Sequence, residues 1–195
     1  MLSRKDRSVM VLILHFGALP KWFDIWLYTA KLNGGIDFHL FQDAVENFQD
    51  KNIFYHSLTL ADFNELPLLK AEGYKLKHPY KFCDFRPLIA EIFPEIIAPY
   101  EYWGWGDLDV IYGDILSVVG ESFNKFDYIS TGWEGESGPL AFLRNSEQIN
   151  SLWRLIPDIN LKLNSEKCIA LDEREFVSML RDDFSCDIVD RKSVV

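Results

Sequence analysis

The stretch that decides the fold is residues 100–114, YEYWGWGDLDVIYGD. An aromatic, β-prone run leads into Asp107-Leu108-Asp109. Side chains two apart on an extended segment point the same way, so Asp107 and Asp109 are predicted to present two carboxylates to one point while Leu108 turns toward the core. Two such carboxylates repel each other unless a cation lies between them. The pattern therefore predicts a site for Mn²⁺ or Mg²⁺, and through the ion for a phosphate. The alternative is that these acids only serve a turn or cap a helix.

Length and charge limit the classes of protein to consider. A chain of 195 residues suits one domain over residues 1–195. Its net charge of −10 disfavours binding to nucleic acid or to anionic membrane. The apolar run Val9–Phe16 is too short to span a membrane and fits a buried strand better. Three cysteines without a close pair indicate reduced thiols, so we expect a cytoplasmic protein without a transmembrane segment.

Strand and helix patterns alternate along the first half of the chain. Strands are predicted over 8–16, 36–41, 52–60, the run before Asp107, 126–130, 138–144 and 184–189. Helices are predicted over 20–33, 61–71, 84–93, 146–155 and 172–180, and a short helix or turn over 115–119. This order predicts an α/β fold with a mixed, mainly parallel sheet flanked by helices. Because ligands bind at the carboxyl ends of such strands, Phe16-Gly17, Gln42-Asp43 and Asp107-Leu108-Asp109 should share one rim.

Four segments, in this order, carry a resemblance to a known group. They are HFGALPKWFDIWLYTAKLNGGIDFHLFQD (15–43), PYKFCDFRPLIAEIF (79–93), YWGWGDLDVIYGDI (102–115) and GPLAFLRN (138–145). Together they resemble bacterial glycosyltransferases of the GT-A fold that act in capsular and cell-surface polysaccharide synthesis, over most of residues 8–180. The resemblance implies a Rossmann-like fold and a nucleotide-sugar donor held through its diphosphate by Mn²⁺ or Mg²⁺. It places Asp109 on the metal and gives Asp107 a supporting role at the metal or the donor.

The resemblance also implies a donor site. Asp43 matches an acid near the nucleoside, and Lys81, Asp84 and Arg86 match a KxxDxR-like segment that lines the donor. The rest of this expected site is Phe16, Gly17 and Leu108. Simpler roles remain open: Arg86 as an exposed arginine at a helix start, Asp84 as an N-cap, and Lys81 as a solvated surface charge.

An acceptor side is expected from two further segments. Trp133 and Glu134 lie in a Gly-containing loop, where an aromatic face stacks on a sugar and an acid binds its hydroxyls. The alternative is an ordinary loop with Trp133 packed inward. The resemblance makes Asp172 or Glu173 the general base of an inverting reaction, whereas a helix N-cap and first-turn acid is the alternative. The acceptor would be a glycan or a lipid-linked molecule, with peripheral association at the inner face of the membrane.

Two departures from the resembling proteins keep other functions open. The four histidines all precede the acidic motif, so none follows it to complete a metal shell, and the chain ends soon after the predicted helix at 172–180. Either water and phosphate complete the shell, or this is a shortened form with an incomplete acceptor side. A domain that binds a nucleotide sugar or glycan without transfer is the main alternative.

A phosphatase of the haloacid dehalogenase type is a further alternative. In that reading Asp107 is the nucleophile, and Ser130-Thr131, Lys167 and Asp182-Asp183 supply the other motifs. The acidic motif, however, lies in the middle of the chain rather than after an opening strand, and it is followed by Val110-Ile111.

Overall fold

A mixed β-sheet forms the centre of the molecule. The computed structural model describes residues 8–44, 47–130, 139–184 and 186–188. Within them the strands are β1 (Val9–His15), β2 (Asp37–Gln42), β3 (Phe48–Asp50), β4 (Ile53–Ser57), β5 (Tyr102–Gly106), β6 (Tyr128–Ser130), β7 (Leu140–Arg144) and β8 (Cys186–Ile188). They lie in the order β3-β4-β2-β1-β5-β7-β6-β8. Strands β4, β2, β1 and β5 are parallel, whereas β3 and β7 run antiparallel to their neighbours. The predicted α/β class with a mixed sheet is confirmed.

Helices cover both faces of this sheet. The α-helices are α1 (Phe23–Leu32), α2 (Leu60–Asn64), α3 (Pro67–Glu72), α4 (Ile89–Ile92), α5 (Pro94–Ile97), α6 (Ile115–Val119), α7 (Glu147–Ser151), α8 (Ile159–Asn164) and α9 (Glu175–Asp183). Two 3₁₀ helices span Pro79–Leu88 and Leu152–Leu155. In the described residues, no helix has both the length and the apolar character needed to cross a bilayer.

The apolar run of β1 contributes to two separate cores. Met10 and Leu12 belong to one buried cluster, while Val11 and Ile13 belong to the other, on the opposite face. Successive strand side chains point to opposite faces, so a continuous apolar run requires cover on both. The prediction that this run is a doubly covered strand is confirmed.

Several predicted boundaries were wrong, for local reasons. The helix predicted over 61–71 is two helices, because Pro67 starts α3 and cannot continue α2. The helix predicted from Asp172 begins at Glu175, so Asp172 is not its N-cap. The helix predicted over 84–93 is a 3₁₀ helix up to Leu88 and α-helical over Ile89–Ile92, so Asp84 is not its N-cap. The short strand β3 was not predicted.

The chain reverses direction across the sheet between β1 and β5. From β1 it proceeds outward to β2 and β4, and it then returns to place β5 on the other side of β1. Connections that leave two adjacent parallel strands in opposite directions open a crevice at their carboxyl ends. The carboxyl ends here are His15 on β1 and Gly106 on β5.

Candidate functional site

A cavity of about 570 Å³ lies at this crevice. Ile13–Phe16 line it from the end of β1, and Gly106–Asp109 line it from the end of β5 and the turn that follows. The remaining lining residues come from the start of α1, the 3₁₀ helix and the segment before α9: Pro20, Trp22, Pro79, Tyr80, Phe82, Cys83, Arg86 and Glu173. The lining therefore combines aromatic rings with charged groups.

The acidic triplet forms a turn rather than an extended strand. Strand β5 ends at Gly106, and the indole Nε1 groups of Trp26 and Trp22 donate to the carbonyls of Asp107 (3.1 Å) and Leu108 (3.0 Å). Leu108 packs in the core cluster that includes Trp26, as predicted. The predicted extended geometry is wrong, yet both carboxylates line the same cavity. The two indoles therefore fix the turn that carries the carboxylates of Asp107 and Asp109.

Arg86 links the acidic turn to the segment before α9. Its Nη2 donates to Asp107 Oδ1, and its Nη1 donates to Asp172 Oδ2 at 2.8 Å. The guanidinium is buried, so it is not the exposed helix-start arginine that the sequence left open. Burial alone would lower the pKa of Arg86, but the two carboxylates raise it above its usual range. Arg86 is therefore a fixed positive charge between two acids.

Burial also changes the two acids that Arg86 contacts. It raises the pKa of Asp172 to about 6, against the opposing effect of the guanidinium. Burial, together with the charge of Asp109, raises the pKa of Asp107, while Arg86 again opposes the change. Asp172 does not line the cavity, whereas Glu173, next in sequence, is exposed and does. Of the two predicted catalytic acids, the cavity thus contains Glu173.

The 3₁₀ helix presents three different faces, because residues three apart eclipse each other in this helix type. Tyr80, Cys83 and Arg86 line the cavity. The next face carries Lys81 and Asp84, which are fully buried. The third face packs in the core through Phe82, Phe85 and Leu88. One ten-residue segment therefore connects the core, the cavity and a buried ion pair.

Lys81 and Asp84 tie this helix to residues 162–171. The three hydrogens of the Lys81 ammonium reach Asp84 Oδ2 (2.9 Å), the carbonyl of Lys167 (2.9 Å) and the carbonyl of Lys162 (3.0 Å). Asp84 accepts from the backbone N–H of Ile169 (3.1 Å) and of Leu171 (3.0 Å). Neither side chain lines the cavity. They were predicted to line a donor site, but both are buried outside the cavity lining, where they fix the segment that leads to Asp172 and Glu173.

The rim predicted from the strand ends is confirmed. Gly17 adopts φ 96°, and its N–H donates to Asp43 Oδ1 at 2.9 Å, while the Gln42 amide donates to the Gly17 carbonyl at 2.7 Å. The ends of β1 and β2 are thereby joined. Phe16 lines the cavity, but Gly17 and Asp43 lie outside its lining.

Other predicted residues lie outside the cavity or outside the described part of the chain. Trp133, Glu134 and Thr131 fall in residues 131–138, which the structure does not describe. The side chain of Asp183 is likewise not described. Of the other phosphatase candidates, Asp107 lines the cavity, whereas Ser130, Lys167 and Asp182 do not.

Across the described ranges, no group of three or more His, Cys, Asp or Glu side chains is placed to hold a metal ion. The acidic turn offers two carboxylates, one of which already accepts a hydrogen bond from Arg86. Oxygen ligands of this kind suit Mg²⁺ or Mn²⁺, which keep water and substrate phosphates as their other ligands, rather than an all-protein cage. A metal ion bound at this turn would therefore need water and the phosphates of a bound substrate to complete its coordination.

Sequence reasoning missed several residues of the cavity wall. Trp22, which lines the cavity, and Trp26, which supports the acidic turn from the core, were assigned only to the helix predicted over 20–33. Their indoles donate to the carbonyls of the acidic motif. Tyr80 and Cys83 were missed because a period of three, not 3.6, relates them to Arg86.

The chain was also compared with known proteins. The profile of a family described as a family of unknown function, DUF6625, matches residues 11–195. No curated protein matches the chain.

Proposed function

The chain belongs to the family of unknown function DUF6625, and from its cavity we propose that it is a metal-dependent glycosyltransferase of GT-A type. It would move a sugar from a nucleotide-diphosphate sugar to a hydroxyl of a glycan or lipid-linked acceptor in cell-surface polysaccharide synthesis, in the cytoplasm or at the inner face of the membrane. The observation that carries the proposal is the placement of Asp107 and Asp109 in one cavity at the reversal point of the sheet.

The position and size of the cavity support a nucleotide ligand. Open α/β sheets bind nucleotides at the carboxyl ends of strands where the strand order reverses. The volume of about 570 Å³ lies within the roughly 300–1,000 Å³ typical of small-molecule sites. Phe16, Trp22 and Tyr80 supply aromatic faces on which a base or a sugar ring can stack.

The charge balance of the site favours a cation as part of the ligand. Asp107, Asp109 and Glu173 line the cavity with Arg86, whose charge is already shared between Asp107 and buried Asp172. A diphosphate alone would meet net repulsion there. Asp109, aided by Asp107, would hold Mn²⁺ or Mg²⁺. When bound, the ion would offset the charge that develops on the departing nucleoside diphosphate.

The chain's own residues suggest how transfer would proceed in an inverting reaction. Glu173 would take the proton of the acceptor hydroxyl while the oxygen of that hydroxyl forms a bond to the anomeric carbon. The bond from that carbon to the diphosphate oxygen breaks, and the electron pair leaves with the nucleoside diphosphate. Asp172 would act as a positioning residue, because its contact with Arg86 fixes the segment that carries Glu173.

A binding domain without transfer is the second candidate. It is favoured by the Arg86–Asp107 contact, which occupies one carboxylate of the acidic turn, and by the absence of a three-ligand metal cluster in residues 8–44, 47–130, 139–184 and 186–188. Such a domain would show donor binding but neither transfer to acceptors nor hydrolysis of the donor.

The test is a calorimetric and thermal-shift panel of nucleotide sugars, with and without Mn²⁺. We expect at least one donor to bind in a Mn²⁺-dependent manner and to lose this binding in Asp109→Ala. Asp109 is exposed, so the substitution leaves the fold intact. Glu121→Ala is the matched control, since this acid is also exposed but lies outside the cavity. Donor binding that is equal with and without Mn²⁺, or unchanged in Asp109→Ala, would refute the proposed metal site.

A further inference from the structure

One side of α1 exposes an unusual amount of apolar surface. Nine large apolar side chains are exposed in the described part of the chain, and six of them gather here. These six, which we call the α1 apolar face, are Trp22, Ile25, Tyr28, Leu32, Ile111 and Leu116. The four on the α1 segment are 51–67% exposed. Single exposed apolar residues are ordinary, but a contiguous group marks an interaction surface.

The geometry of α1 makes the group contiguous. Residues 22, 25, 28 and 32 recur at intervals of three and four, so they follow one another along one side of the helix. Residues 108–115 run alongside in the same direction. The hydrogen bonds that fix this course are Trp22 Nε1 to Leu108 O (3.0 Å), Tyr112 N to Thr29 Oγ1 (3.3 Å) and Ile115 N to Asn33 Oδ1 (2.9 Å). Ile111 and Leu116 are the exposed large apolar residues of the neighbouring segment 108–116.

The charges around this face indicate a neutral partner. The charged residues between positions 20 and 33 are Lys21, Asp24 and Lys31, and Lys31 forms an ion pair with Asp50. The neighbouring residues 108–116 add two exposed acids, Asp109 and Asp114. There is thus no cationic cluster on α1 to attract an acidic protein or anionic lipid. The whole chain carries −10, which adds repulsion from anionic surfaces. The complementary surface is therefore apolar and carries no anionic charge.

The position of the face next to the cavity distinguishes between two neutral partners. Trp22 belongs to the α1 apolar face and also lines the cavity. A second copy docked on this face would cover the cavity opening and keep large acceptors out. A lipid surface would instead bring that opening to the membrane plane, where a molecule anchored in the bilayer can reach it.

We propose that the α1 apolar face docks on a bilayer of neutral headgroups, with its exposed aliphatic and aromatic side chains entering the boundary between headgroups and acyl chains. Interfacial helices bind in this way, and the strength of binding grows with the apolar area they insert. Trp and Tyr are enriched at that depth. Both the choice of a bilayer over a second copy and the use of the docking, to bring a membrane-borne acceptor to the cavity, rest on the proposed transfer.

Flotation of the full chain with phosphatidylcholine vesicles tests this docking. We expect the unmodified chain to bind in a manner that is insensitive to salt. We expect the partition coefficient of Ile25→Glu/Leu32→Glu to be lower by about ten-fold or more. Leu155→Glu/Leu161→Glu is the matched control, because these leucines are 69% and 75% exposed but belong to another part of the surface. We expect it to bind as the unmodified chain does. Equal partition of the two double variants would overturn the proposal.

A second measurement follows Trp22 directly. Among the tryptophans that the structure describes, Trp22 is exposed, while Trp26, Trp103, Trp105 and Trp153 are buried. Lipids brominated near the headgroup should quench the unmodified chain and should quench Trp22→Phe less. Equal quenching would place the contact elsewhere and overturn the assignment of the face.

Sedimentation of the chain without lipid tests the competing partner. A dimer that Ile25→Glu/Leu32→Glu converts to monomer would show that a second copy covers this face, against the proposal. The vesicle experiments contain no nucleotide sugar. A failure of docking therefore leaves the proposed transfer standing, and a failure of donor binding leaves docking standing.

Discussion

Removing the Lys81 charge should destabilise the protein more than any ordinary lysine substitution. In Lys81→Met the carboxylate of Asp84 stays fully buried with two backbone N–H donors but without its cation. The carbonyls of Lys162 and Lys167 also lose their donor. Breaking a buried ion pair by removing one partner costs about 3–5 kcal/mol. We expect a loss in the free energy of unfolding of that order.

A double-mutant cycle separates the ion pair from the packing of the two side chains. Asp84→Asn alone leaves the Lys81 ammonium buried without its anion, so it should also be strongly destabilising. In Lys81→Met/Asp84→Asn neither charge remains. The double variant should therefore cost about 0.5–3 kcal/mol less than the sum of the single variants, the range found for residues in direct contact.

Urea unfolding at neutral pH, extrapolated to water, provides the free energies for this cycle. Lys70→Met is the matched control, because Lys70 is exposed and pairs with Glu65 on the surface. It should unfold at the same urea concentration as the unmodified chain. A cost below about 1 kcal/mol for Lys81→Met, or strictly additive single costs, would refute the claim that this ion pair fixes residues 162–171.

Two further predictions concern the acids before α9. Glu173→Gln should lower the rate of sugar transfer by about 10²–10⁴ while donor binding stays unchanged, as steady-state rates and calorimetry can show; an unchanged rate would remove Glu173 as the base. Burial raises the pKa of Asp172 from 3.8 to about 6, so between these pH values the folded state binds a proton that the unfolded state does not. Protonation of Asp172 therefore stabilises the folded state at low pH, and this stabilisation is lost as pH rises through 6. Urea unfolding of Asp172→Asn should lack up to about 3 kcal/mol of this pH dependence, and identical pH profiles would contradict it.

The sequence predicted most reliably the buried strands and the residues at their carboxyl ends. The apolar run of β1 predicted cover on both faces, and the alternation of elements predicted the rim shared by Phe16-Gly17, Gln42-Asp43 and the acidic triplet. Two features of the site could not be predicted from the sequence. The turn at Asp107 depends on indole hydrogen bonds from a helix more than eighty residues earlier. The partner of Arg86 before α9 depends on tertiary packing that no local pattern records.

The spacing of Lys81, Asp84 and Arg86 acquires its meaning from the type of helix that carries them. At three residues per turn, Lys81 and Asp84 eclipse and pair, while Arg86 lies about 240° around the axis from Lys81. In an α-helix the same five-residue step would be about 140°. The guanidinium would then be turned by about 100° relative to the buried ion pair. With Lys81 and Asp84 held to residues 162–171, Arg86 reaches both Asp107 and Asp172 only because the segment is a 3₁₀ helix. The pairing of Lys81 with Asp84 thus also helps to set the orientation of the Arg86 guanidinium toward Asp107 in the acidic turn.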